Sequence, residues 1–324
     1  MALGSVVVCL GEALIDRLGP PGGDPAVDRP VDDRLGGAPA NVASGLARLE
    51  TPVAFAGRLG QDAIGEAFSR LFAERGVDTS LLQRDAERPS RIVLVRRARD
   101  GERQFQGFDG DQGAGFADQA LEPVALPPAR WLLIGTLPLA APTSASALLS
   151  AVRQASSQGT AIALDVNWRP TFWDASADPA AGPSAAAKAA IQPLLDQAAL
   201  IKLAREEALW LFNTDDPGAI QQALTQRPDV VVTDGAAPVR WQLADDSGQQ
   251  VAFQPPSVVD TTGAGDAFTA GLLHRWAAAP QERIRFAAAC GALVCGGAGG
   301  IDPQPTQAQV EAFLGEVSLS LIHI

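Results

Sequence analysis

The chain has 324 residues, 47% hydrophobic and 19% charged, which is enough apolar material for a large core and too little charge for broad disorder. Lys and Arg total 25 against 37 Asp and Glu, and a formal net charge of −12 argues against sequence-independent nucleic-acid binding, because phosphate contacts need a basic face. Two lysines, two histidines and three cysteines exclude a His-rich metal site and a disulfide framework, and fit a reduced cytoplasmic compartment.

Residues 5–10 are Val-rich, bounded by Gly11, and predict a first strand. Glu12 and Asp16 follow and no basic residue precedes, so this is not read as an export signal. Residues 19–23, Gly-Pro-Pro-Gly-Gly, mark turns. Residues 36–41 open a helix over 42–49, residues 53–57 predict a second strand, and 62–75 a helix stopped by Gly76. Residues 91–97 and 103–108 read as a hairpin with a polar tip at 99–102. The uncharged run 131–152 is interrupted by Pro138 and Pro142, so it predicts a buried strand and then a helix rather than a membrane span. Strands at 131–134, 161–166, 200–203 and 230–233 alternate with helices at 144–156, 185–197, 204–212 and 219–226. That order predicts a parallel sheet with helices on both faces. A loose surface loop is expected at 175–187, and a further hairpin at 241–244 and 250–253 around a turn at 245–248. Two helices follow within 261–300, broken near Pro280. A final helix is expected to end near Gly315, and the apolar tail 318–324 is set apart from the fold as an assembly scar.

Three segments carry chemistry. Asp260-Thr261-Thr262-Gly263-Ala264-Gly265-Asp266 places small residues before an acid at the head of an Ala- and Leu-rich helix. Small residues let a ligand approach the backbone, and the orphan N–H groups of a helix start form an anion site. An acid among them can take a proton from a hydroxyl while the amides hold a phosphate; the plain alternative is a loop with an Asp cap. Gly36, Gly37 and Asn41 before the next helix can admit a polyol against the backbone, or make a tight turn and cap. Asp16 lies beyond the first strand, where open α/β sheets bind ligands, and either accepts hydroxyl protons or is a solvated carboxylate. No GK[ST] occurs, so the Walker A loop is absent. Gly-Glu-Ala-Leu-Ile-Asp after the first strand leaves no G-x-G-x-x-G for a dehydrogenase.

Together these segments resemble the ribokinase-type sugar kinases, the phosphofructokinase-B family. Gly-Gly-x-x-x-Asn (36–41) looks like the first family motif and 260–266 like the second. In order between them stand G-x-x-G-x-D-x-x-G (57–65), D-x-N-x-R-P (165–170), Ile201-Lys202-Leu203 with Glu207, and Val232-Thr233-Asp234-Gly235. The resemblance runs from Val6 to about Phe313. It implies a ribokinase-like three-layer α/β/α sandwich, a single domain over 1–317 with a mostly parallel sheet and a small β-sheet lid drawn from about 15–34 and 91–108. It implies that Asp266 is the base, that Gly263, Ala264 and Gly265 spread charge on the transferred phosphoryl, and that Arg169 sits near the reacting groups. It places Asp16, Gly36, Gly37, Asn41 and Phe105 on the sugar, and Lys202, Glu207, Thr233 and Gly235 on the ATP and magnesium side. Asp260 and Thr262 would hold a monovalent cation such as potassium. The sugar and ATP are the expected partners, with no nucleic acid or membrane, in a monomer or homodimer.

Three residues depart from the family pattern. Glu50 replaces the usual closing Gly of the first motif, expected to be harmless at a surface turn; Ala204 replaces Asn or Ser; and Ala288 replaces an Asn near the nucleotide. Segments 11–16, 36–41 and 167–170 look more like fructokinases than ribokinases, so the expected reaction is ATP-dependent phosphorylation of D-fructose to fructose 6-phosphate. A 2-keto-3-deoxygluconate kinase, since Arg169 can serve an acidic sugar, or another sugar or nucleoside kinase of the same family is the alternative. A non-catalytic fructokinase-like interaction protein is a more distant one, which loss of Asp266 or the glycines would favour.

Overall fold

The computed structural model describes residues 7–97, 103–255 and 257–322; the hairpin tip expected at 99–102 and the start of the first strand lie outside the described residues. In chain order the elements are β1 (Val7–Leu10), β2 (Leu14–Leu18), β3 (Asp32–Gly36), α1 (Ala38–Arg48), β4 (Val53–Gly60), α2 (Ala63–Arg75), β5 (Leu82–Asp85), β6 (Ile92–Arg97), β7 (Arg103–Asp109) and β8 (Trp131–Ile134). There follow α3 (Pro142–Gln158), β9 (Ala161–Asp165), α4 (Pro170–Trp173), α5 (Ala185–Gln197), β10 (Leu200–Ala204), α6 (Arg205–Phe212), α7 (Pro217–Ala223), β11 (Asp229–Thr233), β12 (Val239–Leu243), β13 (Asp246–Gln250), α8 (Ala264–His274), α9 (Pro280–Val294) and α10 (Gln307–Ile322).

Nine strands form one sheet in the order β13-β12-β11-β10-β9-β8-β1-β4-β5, parallel from β11 to β5, with β12 and β13 antiparallel at one edge. The near-continuous apolar runs follow from this placement, because both faces are covered. In β1, Val7 and Cys9 enter one core while Val8 and Leu10 enter the other, and in β8 Trp131 and Leu133 alternate with Leu132 and Ile134 in the same way. The first core is closed by α1, α2, α8 and α9, and the second by α3, α5, α6 and α7. From β1 the chain builds β4 and β5 on one side, then returns to place β8 on the other. The strand order therefore reverses at β1 and β8, where open α/β sheets leave a crevice beyond their carboxyl ends.

Local chemistry sets the helix limits. Asp62 caps α2 by accepting the Gly65 amide at 2.8 Å, and Gly76 ends it at φ 74. The other oxygen of Asp62 accepts the Ser90 amide at 2.7 Å, which ties α2 to the foot of β6. Ser184 caps α5 through the Ala187 amide, so the loop after residue 175 stops there.

A second sheet has the order β3-β2-β6-β7, with β2 and β6 parallel and the outer pairs antiparallel. Gln106 is an extra residue in β7, since Leu94 pairs with Gly107 and Val95 with Phe105.

Two expectations are corrected. The late hairpin turns at Ala244 and Asp245, not over 245–248, and Gly248 lies inside β13 opposite Trp241. A Cβ on Gly248 would stand 2.6 Å from the Trp241 ring, so this glycine is a slot for an indole rather than a turn signal. The last helix does not stop near Gly315: α10 continues to Ile322, taking in most of the apolar tail.

Glu50 is less innocent than its surface position suggests. It has φ 63, a left-handed conformation that costs a residue with a Cβ about 1–2 kcal/mol. Glycine relieves that strain but loses about 0.4–1 kcal/mol through a freer unfolded chain. Glu50→Gly is therefore expected to stabilise the protein by about 0.5–1 kcal/mol in urea unfolding; a lower midpoint would show that the Glu50 side chain makes a contact worth more than its strain.

Candidate active site

The loop before α8 is shaped by one obligatory glycine. Gly263 has φ 78, and a Cβ there would lie 2.5 Å from the Cα of Gly300. The chain can thus turn closely against the 295–302 loop and start α8 at Ala264, leaving first-turn amides without intrahelical acceptors. Gly265 is different, because a Cβ there would meet only the Lys202 ammonium, at 2.9 Å. Its smallness keeps space between the amides and that ammonium.

Asp266 stands on the first turn of α8, and the Nδ2 of Asn41 donates to its Oδ2 at 2.7 Å. Burial pushes the Asp266 carboxyl up to about 6, helped by the charge of Asp165, while the Asn41 bond, Lys202 and Arg169 pull the other way. A carboxylate tuned there is ionised at neutral pH yet more basic than a free aspartate, which suits a general base.

Below the turn, Lys202 from β10 reaches both oxygens of Asp165 from the end of β9, at 3.1 and 3.2 Å. The Thr269 hydroxyl of α8 donates to the same carboxylate at 3.0 Å. Burial works against the charge of Lys202, but Asp165, Glu207 and Asp266 outweigh it and hold its pKa above the ordinary value. Glu207 is buried, which raises its pKa, and it accepts the amides of Trp168 at 2.6 Å and Ala204 at 2.7 Å. Ala204 has no side chain to cap α6, and Glu207 supplies the acceptor its amide needs.

On the sugar side, Gly36 ends β3 against the Asp16 carboxylate, where a Cβ would be 2.7 Å from Oδ2. Gly37 has φ 101 and leads into α1, which carries Asn41. A cavity of about 460 Å³ brings together Asp16, Gly37, Asn41, Phe105, Arg169 and Lys202 with Glu207 and the 263–266 turn. Gly36 lies immediately behind it. Phe105 enters from the small sheet, edge-on to Phe108.

Thr262 also lines this cavity, whereas Thr233, Gly235, Asp260 and Ala288 do not. Thr233 is at the end of β11, where its hydroxyl donates to Leu203 O, and Gly235 is exposed beyond it at φ 52. Ala288 is buried in α9. Asp260 accepts the amides of Thr262 at 2.9 Å and Gly299 at 2.8 Å, and with Thr262 lines a neighbouring cavity of about 140 Å³. Among the described residues, no three His, Cys, Asp or Glu are placed to form a metal cage. Glu207 lines the cavity of the amide turn with both oxygens on backbone amides, and Asp165 is engaged by Lys202 and Thr269, so neither is an open metal ligand as placed.

Sequence reading gave no role to Glu12, Asp165 or Thr269. The only signal at Glu12 was a lone acid directly after an apolar strand, and Asp165 stood in a recognised motif with its partners out of sight.

Residues 5–307 match the pfkB family of carbohydrate kinases. The chain is 33% identical to a probable chloroplastic fructokinase-6 of Arabidopsis thaliana, over 96% of this chain and 83% of that one. It is similar to the crystal structure of a fructokinase with bound ATP from Xylella fastidiosa, with 31% identity, a TM-score of 0.83 and 97% and 99% of the two chains covered. It also resembles a fructokinase double mutant from Vibrio cholerae O395 solved with fructose, ADP and potassium ion bound, at 28% identity and TM-score 0.79 over 96% and 98% of the chains.

Asp266→Asn keeps the shape and the contact region but is a very poor base. It is expected to lower kcat by about 10²–10⁴-fold with little change in sugar affinity. In the wild type, kcat should fall as pH drops through about 6, where Asp266 takes up a proton, and the variant should lack that limb. Steady-state kinetics from pH 5 to 8 check both; a variant with half the wild-type kcat removes Asp266 from the chemistry.

Proposed function

The chain belongs to the pfkB family of carbohydrate kinases, and we propose that within that family it transfers the γ-phosphoryl group of ATP to the primary hydroxyl of D-fructose. The observation that carries this reading is the meeting of Asp266 and the Gly263 turn with Asp16 and Asn41 at one cavity, although these residues come from opposite ends of the chain.

In this reading fructose lies over Gly37, with its hydroxyls on Asp16 and Asn41. Asp266 takes the proton of the primary hydroxyl as its oxygen attacks in line. The amides of the 263–266 turn receive the negative charge that develops on the phosphoryl oxygens, and Arg169 adds a cation on the open side. Lys202 is held by Asp165 under the turn and contributes its field there. Thr233 and Gly235 border the nucleotide beyond β11. A magnesium ion arriving with ATP would neutralise phosphate charge, and Glu207 and Lys202 are the charged residues that line the cavity on that side. Asp260 and Thr262 would hold a potassium ion, whose hard oxygen preference suits a carboxylate between two loops. The small sheet acts as a lid: Val93, Val95 and Phe105 face the cavity from it, and its closure would exclude the water that competes for the phosphoryl group.

Fructose is favoured over an acidic sugar by the charge of the site. Asp16 and Asp266 line the sugar side, and Lys202 is already paired with Asp165, so among the described residues of the cavity a substrate carboxylate would find Arg169 as its one cation not already in an ion pair, beside two acids. Names of the relatives point the same way.

Coupled ADP release over fructose, ribose, 2-keto-3-deoxygluconate, adenosine and glucose is expected to give fructose the highest kcat/KM. A tenfold advantage for the keto-deoxy acid, about 1.4 kcal/mol in the transition state, overturns the assignment. Asp16→Ala removes hydrogen bonds to a charged group worth about 1.5–3 kcal/mol, so fructose affinity should fall about 10- to 150-fold. ATP KM at saturating sugar should move less than about threefold. A defect confined to ATP would place the sugar away from the end of β1.

A further inference from the structure

Glu12 lies two residues past β1 and is only 4% exposed. Its Oε1 accepts the amide of Ala38, the first residue of α1, at 3.0 Å. Its backbone carbonyl backs the preceding turn so tightly that a Cβ on Gly37 would stand 2.6 Å from it. Three residues after Ala38, Asn41 donates to Asp266 at 2.7 Å. The second carboxyl oxygen, Oε2, is buried and has no hydrogen-bond partner among the described residues, while the side chain borders the 460 Å³ cavity. None of the roles assigned above uses this acid.

We propose that Glu12 is a positioning residue of the kinase site, holding the Gly37 turn and the start of α1 to the end of the first strand so that Asn41 is set against Asp266. It works as an uncharged carboxylic acid: Oε1 accepts from Ala38, and the proton resides on Oε2. Burial is the main reason, and together with Asp118 and Asp266 it pushes the carboxyl up to about 8, although its own backbone amide and that of Ala38 pull downward. The charged groups around it are Arg91 with Asp118 on one side and Asp165 on another. Asp16, Arg169, Lys202, Glu207 and Asp266 lie across the main cavity. A carboxylate ion at this position adds a negative charge beside the base and the incoming triphosphate, so loss of the proton weakens both the tether's surroundings and phosphate binding.

The sign for stability follows from the raised value. Between about 4.5 and about 8 the folded chain keeps a proton that the unfolded chain has released. This contribution is fully present below about 4.5 and is lost as pH rises through about 8. Glutamine keeps the acceptor oxygen and puts a permanent donor where the proton sits, without any ionisation.

The inference rests on the phosphoryl-transfer reading, so wild-type turnover of fructose in the same assay is the control for that reading. The test compares wild type, Glu12→Gln and Glu12→Ala in kcat and KM from pH 6 to 9.5, and in Tm at pH 5.5 and 8.5. Glu12→Ala should lose at least tenfold in kcat at pH 7, since displacing a catalytic group by about 1 Å can cost about 10²-fold, with ATP KM changed less than threefold. Glu12→Gln should restore most of that loss, lack the alkaline fall near pH 8 shown by wild type, and gain more Tm over wild type at pH 8.5 than at pH 5.5. Equal damage from Gln and Ala with the alkaline fall intact overturns the proposal, as does an Ala variant with wild-type kcat. If Glu12→Ala does not fold, the pH profile of Glu12→Gln decides. The Tm comparison needs no turnover, and an equal Tm difference at both pH values overturns the uncharged state even if fructose proves the wrong sugar.

Discussion

The hydrogen bond between Asn41 and Asp266 joins two residues 225 positions apart and ties α1 to α8. It can be short because α1 and α8 approach closely through small residues: a Cβ on Gly45 would come within 2.9 Å of the Ala270 Cβ. Ala43 and Leu46 of α1 and Ala267 and Ala270 of α8 share one core. Packing of this kind is stiff, since protein interiors are close-packed and transmit small shifts. The two substrates therefore meet at a joint whose geometry is set by helix packing rather than by flexible loops.

Charge is arranged around that joint in layers. Asp165, Lys202 and Thr269 form a buried, mutually satisfied group beneath the amide turn. A buried ion pair of this sort adds little to stability, because desolvation offsets much of the attraction. In the proposed reaction its use would be a fixed field under the amides of the 263–266 turn, and it moderates the rise in Asp266 that burial and Asp165 produce. Glu207 spends both oxygens on backbone amides, those of Trp168 and Ala204, which ties the start of α6 to the chain just past the end of β9.

Much of this was legible in the sequence, and for identifiable reasons. Gly76, Ser184 and Pro280 are punctuators whose effects are local, so the limits of α2, α5 and α9 could be read from them. The runs at β1, β8 and β11 are apolar on both faces, which reports a covered parallel sheet directly. The glycine-and-acid motifs could be read because the backbone they require is itself local, as φ at Gly37 and Gly263 shows. The late hairpin slipped because Gly248 serves Trp241 across the strand, a partner that a turn rule does not see. Strands β2 and β3 were not delimited from the residues and entered only through the resemblance, as a lid segment at about 15–34, since they are short, partly exposed and separated by Pro and Gly. Glu12 and Asp165 were silent for a different reason. Their meaning is a contact with Ala38 in one case and with Lys202 and Thr269 in the other, and no pattern within a window records a partner that distant.

One feature of the small sheet has a mechanical side. Strand β3 ends at Gly36 and α1 begins at Ala38, so a single residue, Gly37, separates the sheet from the helix that carries Asn41. At φ 101, and pressed against the carbonyl of Glu12, that residue has little freedom to absorb a rotation. The sheet is in effect a lever whose fulcrum is Gly37 and whose short arm is the first turn of α1. In the proposed reaction, a sugar that draws the sheet down would therefore bear on Asn41, the residue hydrogen-bonded to Asp266, before any phosphate has arrived.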